Sequence, residues 1–191
     1  MKKLKLGIDV DGTLVDTMSK WLDLYRKEFN VEVSKEDLIL YDLSKIFPFV
    51  TKEKMREYFE KAFENIDDIQ LLISQKQINE LNKLKRKYDI YIITSSWGDI
   101  NKIKILLDQH GIFYDALIYV PNSEEKYKYC DILIDDKAQN VKNMLKHNKI
   151  GILYKQPWSK MSFGERLKAS YVCENWDEIL QVLEKIKIGK F

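Results

Sequence analysis

From residue 73 onward, short uncharged runs rich in β-branched residues alternate with amphipathic helical stretches, and few folds satisfy that pattern. Ile90-Tyr-Ile-Ile-Thr94, Ala116 to Val120, Ile132-Leu-Ile134 and Ile150 to Tyr154 are apolar throughout rather than alternating with polar residues. Such runs suit strands buried on both faces, as in a parallel sheet. Between them lie helical spacings: Ile78, Leu81, Leu84 and Tyr88; Ile103, Leu106 and Leu107, stopped at Gly111; Val141, Met144 and Leu145. Ser123 to Tyr129 is a further short helix. Tyr171-Val-Cys173 precedes a last helix through Ile179, Leu180, Leu183 and Ile186. Alternating strand and helix predicts an α/β fold, a parallel sheet flanked by helices.

The first strand stands apart from this run. Leu4-Lys-Leu-Gly-Ile-Asp-Val10 leads directly into Asp11-Gly-Thr13, and the period then changes. Met18, Trp21, Leu22, Tyr25 and Phe29 mark one helix face. Ser34 and Asp37 open a short second helix toward Leu40, and Pro48 ends the segment after it. Thr51 caps a third helix with Met55, Tyr58, Phe59, Ala62 and Phe63 on its apolar face. Residues 16–72 therefore read as a small helical cap inserted after strand one, and residues 1–15 and 73–191 as a Rossmann-like core.

Composition narrows the class. Of 191 residues, 32 are Lys or Arg and 30 are Asp or Glu, a net charge of +2 with the signs mixed along the chain. Large basic surfaces are not implied, so nucleic acid is disfavoured as a partner. No apolar run approaches the roughly 20 residues of a membrane span. The Lys-rich start reaches an acid before any apolar stretch of signal-peptide length, which predicts no signal peptide. Two cysteines, Cys130 and Cys173, exclude a disulfide scaffold and suit a reducing, cytoplasmic setting.

Ligands of open α/β sheets bind beyond the carboxyl ends of the strands, so the residues at those ends carry the function. Strand one ends at Asp9-Val-Asp11-Gly-Thr13, a second strand at Thr94-Ser95-Ser96, and a third at Asp135-Asp136. Gathered carboxylates repel unless a cation or a shared proton relieves them. A hard divalent ion with oxygen ligands, most simply Mg²⁺, provides that relief, and no Cys/His cluster favours zinc. Residues i and i+2 of an extended strand share a face, so Asp9 and Asp11 can address one ligand. Asp9 could then attack phosphorus while Asp11 protonates the leaving oxygen. A hydroxyl of Thr94 or Ser95 could bind phosphoryl oxygens, and a lysine would neutralise the nucleophile and the transition state.

Asp9-Val-Asp11-Gly-Thr13, Ile92-Ile-Thr94-Ser95 and Asp131-Ile-Leu-Ile-Asp135-Asp136 resemble motifs one, two and four of the haloacid dehalogenase superfamily. The resemblance implies phosphoryl transfer through an aspartyl-phosphate at Asp9, with Mg²⁺ required and Asp11 as general acid/base. Dehalogenases proper lack the second aspartate, so Asp11 points to a phosphatase or phosphomutase. The resemblance further implies a metal site of Asp9, Asp11 through its backbone carbonyl, and Asp136, with Asp135 behind them. The family's motif-three lysine corresponds by spacing to Lys126 or Lys128, with Lys126 nearer the usual position. Lys137 is a third basic candidate, toward the substrate phosphate.

The insertion between motifs one and two, Tyr41-Asp-Leu43 and Tyr154-Lys-Gln-Pro-Trp158-Ser159 are similar to the 5′(3′)-deoxyribonucleotidase family. That likeness implies a small phosphomonoester substrate, a nucleoside monophosphate foremost. Sugar phosphates, or idle nucleotide binding without turnover, are the alternatives. Lys137 where Arg is common, and Ser159 where Asn is expected, depart from that family. Tyr41, Phe47 and Phe49 are candidates to stack on a base, although any single aromatic of the cap suits a core better than a stacking platform. Trp97 and Trp158 lie in loops near the same edge.

Overall fold

The computed structural model describes residues 3–47, 50–160 and 171–186. Six parallel strands form the sheet: β1 (Leu4–Ile8), β2 (Tyr88–Thr94), β3 (Ala116–Tyr119), β4 (Ile132–Asp135), β5 (Ile150–Tyr154) and β6 (Tyr171–Cys173). Their order is β3-β2-β1-β4-β5-β6. From β1 the chain winds outward first through β2 and β3 and then, from the other side, through β4 to β6. The crevice of such a doubly wound sheet lies where the winding reverses, at the β1/β4 pair. Register places Leu6 against Ile90 and Ile132, and Ile8 against Ile92 and Ile134, so the ends of β1, β2 and β4 come level.

Alternation along the strands sorts the core into two layers. Ile8, Ile92, Ile134 and Ile152 point to one face. There they meet α3 (Gln75–Lys83), α4 (Ile100–Gln109) and α6 (Trp176–Lys185) through Leu81, Leu107 and Ile179. Ile93 and Leu133 point the other way, onto Met144 of α5 (Ala138–Lys146), and Leu153 packs on Val141 of the same helix. Both faces of the central strands are therefore covered, and their charged residues, Lys5, Asp89 and Asp135, stand near strand ends or edges of the apolar runs.

Two elements differ from the sequence reading. Tyr88 does not extend the helix of Ile78 and Leu81: α3 ends at Lys83, a 3₁₀ turn covers Leu84–Arg86, and Tyr88 opens β2. Its buried hydroxyl donates to the Leu183 carbonyl at 2.7 Å, a partner that helical spacing could not disclose. Tyr171–Cys173 is the edge strand β6, paired to β5 through Leu153 and Val172.

Between β1 and β2 run α1 (Thr17–Phe29) and α2 (Lys52–Ala62), with 3₁₀ turns at Lys35–Asp37, Leu43–Lys45 and Ile66–Asp68. Asp16 caps α1 by accepting from the Ser19 N–H, and the Thr51 hydroxyl caps α2 by accepting from the Lys54 N–H. This insert has its own aromatic core. Trp21 is fully buried, with the Phe47 ring 5.4 Å and the Tyr58 ring 5.3 Å away. Phe29, on the same helical spacing, stays 40% exposed and touches Tyr25. Chain entry and exit run side by side: the Asp16 N–H donates to the Gln70 carbonyl and the Leu72 N–H to the Leu14 carbonyl, both at 2.8 Å. Pro48 and Phe49 lie outside the described residues. Among the described residues no helix is long and apolar enough to cross a membrane.

Phe47 is buried against Trp21 and Tyr25, its ring 4.5 Å from the latter. Phe47→Ala is expected to lower the unfolding free energy by about 3–5 kcal/mol, read from equilibrium urea denaturation.

Candidate active site

Beyond β1 the chain keeps pairing for one residue, the Asp9 N–H donating to the Ile134 carbonyl at 3.0 Å. It then wraps around the Val10 carbonyl, which accepts from the N–H groups of Thr13, Leu14 and Val15. Gly12 makes the turn with a φ of 74°, which disfavours any side chain. A Cβ there would also collide with the Asp136 carboxylate and stand 3.2 Å from Trp158. Close approach of the first and fourth strand ends thus depends on this glycine.

Lys126 occupies the centre. Its ammonium, 2% exposed, lies 2.5 Å from Asp9 Oδ1 and 2.9 Å from Asp135 Oδ2. It is held there by a 3₁₀ helix, Ser123–Lys128, capped by the Asn122 side chain, which accepts from the Glu124 N–H. Lys128, the rival by spacing, points out and pairs with Glu125 at 2.8 Å. Asp135 is also committed elsewhere, accepting from Asn140 Nδ2 at 2.9 Å and the Lys137 N–H at 2.8 Å. Asp136 accepts from the Trp158 indole N–H at 2.6 Å.

These carboxyls are hard to ionise together. Burial pushes Asp9 up from 3.8 to about 7, with Asp135 and Asp11 adding to the shift and Lys126 opposing it. Burial also raises Asp11, and hydroxyls of Ser96 and Thr17 offset part of that. Asp136 rises well above the usual carboxylate range through burial and the charges of Asp9 and Asp135. Burial works against the charge of Lys126, but Asp135 and Asp9 outweigh it and raise its pKa. Oxygens of Asp9, Asp135 and Asp136 all lie within 4.8 Å of one another, and Asp11 Oδ1 is buried without a hydrogen-bond partner. An all-oxygen, excess-anionic donor set of this kind fits a hard divalent cation.

Above the acids opens a cavity of about 450 Å³. Asp9, Asp11, Lys126 and Asp136 lie at its polar end, and Met18, Leu40, Met55 and Phe59 of the insert give it an apolar side. Ser95 lines it while donating to the Val120 carbonyl at 2.6 Å. Thr94 is 1% exposed and its hydroxyl accepts from the Ser96 N–H, so it buttresses the strand end from behind. Tyr41 is at the cavity, half exposed, with the Lys137 ammonium 4.7 Å from its ring centroid. Lys137 also donates to the Ser123 hydroxyl at 3.0 Å. Phe47 is not among the lining residues and belongs to the insert's core.

The sequence reading placed Ser96 at the strand end without a role, left Trp158 undecided and missed Asn140. Ser96 lines the cavity, and its hydroxyl accepts from the Gly98 N–H. Gln156, in the loop after β5, donates to the Gly12 carbonyl at 3.0 Å. The strand-end rule, extended to β5, would have found Gln156 and Trp158. Asn140 carries no such signal, since it acts only through Asp135.

Comparison with known proteins agrees with this geometry. The model of the family described as 5′ nucleotidase, deoxy (pyrimidine), cytosolic type C protein (NT5C) matches residues 2–188. YqfW of Bacillus subtilis (strain 168), provisionally named a nucleotidase, is 26% identical over 192 residues, covering 96% of this chain and 95% of its own. A 5′(3′)-deoxyribonucleotidase of the same organism is 24% identical over 149 residues, 75% of this chain and 81% of its own. Among solved structures, the haloacid dehalogenase-like hydrolase SP0104 from Streptococcus pneumoniae superposes with a TM-score of 0.65 at 18% identity, covering 94% of this chain and 98% of its own. With this fold, these strand-end acids and a family match over nearly its whole length, the chain belongs to the 5′ nucleotidase, deoxy (pyrimidine), cytosolic type C family and is a haloacid dehalogenase-like phosphoric monoester hydrolase.

Proposed function

We propose that the protein is a Mg²⁺-dependent phosphomonoesterase that works through an aspartyl-phosphate on Asp9 and takes nucleoside monophosphates, deoxyribonucleoside monophosphates foremost. The observation that carries this reading is the pairing of Asp9 with Lys126 at the floor of a cavity whose sides are apolar. An Asp9 oxygen attacks phosphorus, and the P–O bond to the alcohol breaks. Asp11, whose burial favours the protonated form, gives its proton to the departing oxygen. The Asp11 carboxylate next takes a proton from water. That water attacks phosphorus, the Asp9–phosphorus bond breaks, and inorganic phosphate leaves with Asp9 restored as a carboxylate.

Asp9, Asp136 and the Asp11 backbone carbonyl would hold Mg²⁺, which supplies positive charge against the phosphoryl oxygens. Asp135 orients Lys126, which neutralises Asp9 and the transition state. Ser95 contacts the phosphoryl oxygens, Thr94 supports that strand end, and Lys137 draws the phosphate toward the opening. Residues 16–72 act as a cap over the core. Tyr41, at the cavity beside Lys137, is the residue we assign to the base; the burial of Phe47 favours a structural role. The 5′(3′)-deoxyribonucleotidase relative supports the nucleotide substrate.

A panel of nucleoside 5′- and 3′-monophosphates, sugar phosphates and p-nitrophenyl phosphate tests the substrate. Turnover should be highest on nucleotides and vanish on removing Mg²⁺ with chelator; preference for a sugar phosphate would refute the nucleotide assignment. Asp9→Asn should cut kcat on the order of 10³-fold or more with circular dichroism unchanged.

The same variant isolates a pH effect on stability. In metal-free protein Asp9 keeps its proton up to about pH 7, whereas the unfolded carboxyl ionises near 3.8. Between those values the folded state holds the extra proton, so the Asp9 contribution to stability falls as pH rises and levels off above about 7. The Tm of wild type minus that of Asp9→Asn should therefore decline from pH 4 to pH 7 without metal, and Mg²⁺ should restore it.

A further inference from the structure

Trp158 sits where the core and the insert meet. Trp158 is 5% exposed and belongs to the same buried cluster as Trp21, Leu22 and Tyr58 of the insert, yet it is carried by the loop after β5. Its Nε1–H reaches Asp136 Oδ2 at 2.6 Å. The next residue, Ser159, donates its hydroxyl to the Asp136 backbone carbonyl at 2.5 Å and accepts from the Gln156 N–H at 3.0 Å. Two consecutive residues of one loop therefore hold Asp136 at its side chain and its backbone. Over the indole face stands the Lys35 ammonium, 5.7 Å from the ring, which also pairs with Asp16 at 2.9 Å. Asp16 is the cap of α1, at the point where the chain enters the insert.

An indole has one donor and no acceptor, so its bond to a carboxylate sets which oxygen is occupied and which is left to face the cavity. Hydrogen bonds of this kind to metal-binding side chains typically change metal affinity 10–100-fold. Packing alone would bury a tryptophan here equally well, but it would not require the N–H.

We propose that Trp158 is a positioning residue that orients Asp136 for divalent-cation binding through its indole N–H. This rests on the reading of Asp136 as a metal ligand. Trp158→Phe keeps an apolar ring and removes the donor. Site-specific 3-benzothienylalanine keeps the bicyclic shape without an N–H and serves if the phenylalanine variant folds poorly.

Mg²⁺ is titrated calorimetrically into each substrate-free protein. Both variants are expected to bind Mg²⁺ about 10–100-fold more weakly than wild type, and their activity deficit should close as Mg²⁺ is raised. Trp21→Phe alters a ring of the same aromatic core without contacting the acids and should bind Mg²⁺ as wild type does. Wild-type affinity in the Trp158 variants, where Asp136→Asn has lost binding, would overturn the positioning role alone. Equal weakening in Trp21→Phe would overturn it too, by reducing it to packing. Undiminished binding in Asp136→Asn would overturn the ligand reading and this inference with it.

Discussion

The buried ammonium of Lys126, bonded at once to Asp9 and Asp135, is the interaction on which the rest of the site depends. Removing one member of such a group would leave an unpaired buried charge, which is far more costly than the pair itself is stabilising. The surroundings therefore fix the lysine from several directions. Its 3₁₀ helix is tied down where Asn143 donates to the Glu124 carbonyl and Lys149 to the Tyr127 carbonyl. Asp135 is fixed by Asn140 and the Lys137 N–H. One cation cannot balance four neighbouring acids: burial raises Asp9, Asp11 and Asp136, and neighbouring acids add to the shift at Asp9 and Asp136. A divalent ion would relieve that repulsion and let an anionic phosphoryl group approach.

Strand order explains how acids so distant in sequence converge. Because β1 lies between β2 and β4, three separate strand ends are level and adjacent without any long loop reaching across. The loop after β5 comes in from one strand further out, and it does so through hydrogen bonds rather than sheet pairing, from Gln156 to Gly12 and from Trp158 and Ser159 to Asp136. The geometry at Gly12 is part of the same closure, since a side chain there would separate the β1 turn from Asp136.

The strand-end acids were legible because each sits at the end of an apolar run, where periodicity stops and a charge begins. Lys126 could be preferred over Lys128 by spacing, and the 3₁₀ geometry then turns the first inward and leaves the second on the surface with Glu125. What was illegible acts through a neighbour. Asn140 binds Asp135, and Thr94 binds the backbone at Ser96, so neither residue type announces its role in one dimension. Aromatic residues of the insert were ambiguous for a physical reason. A ring that packs a core and a ring that receives a ligand need the same flat apolar surface, and only three-dimensional placement separates Phe47 from Tyr41.

The two sides of the cavity belong to different parts of the chain and impose different demands. The sheet edge, with Lys126 and a cation bound to its acids, would favour a phosphoryl group and is indifferent to what that group is attached to. Met18, Leu40, Met55 and Phe59 supply apolar surface, which gains only from a substrate with a flat or hydrophobic remainder. A small, fully hydroxylated sugar phosphate would satisfy the first side and leave its hydroxyls against the second, at the cost of desolvating them. A nucleoside monophosphate carries its dianion and its ring at opposite ends, which is why it is the substrate proposed for this cavity. Contacts that join the two sides include Lys35 over the Trp158 ring and Lys137 over the Tyr41 ring, both cation–π in character.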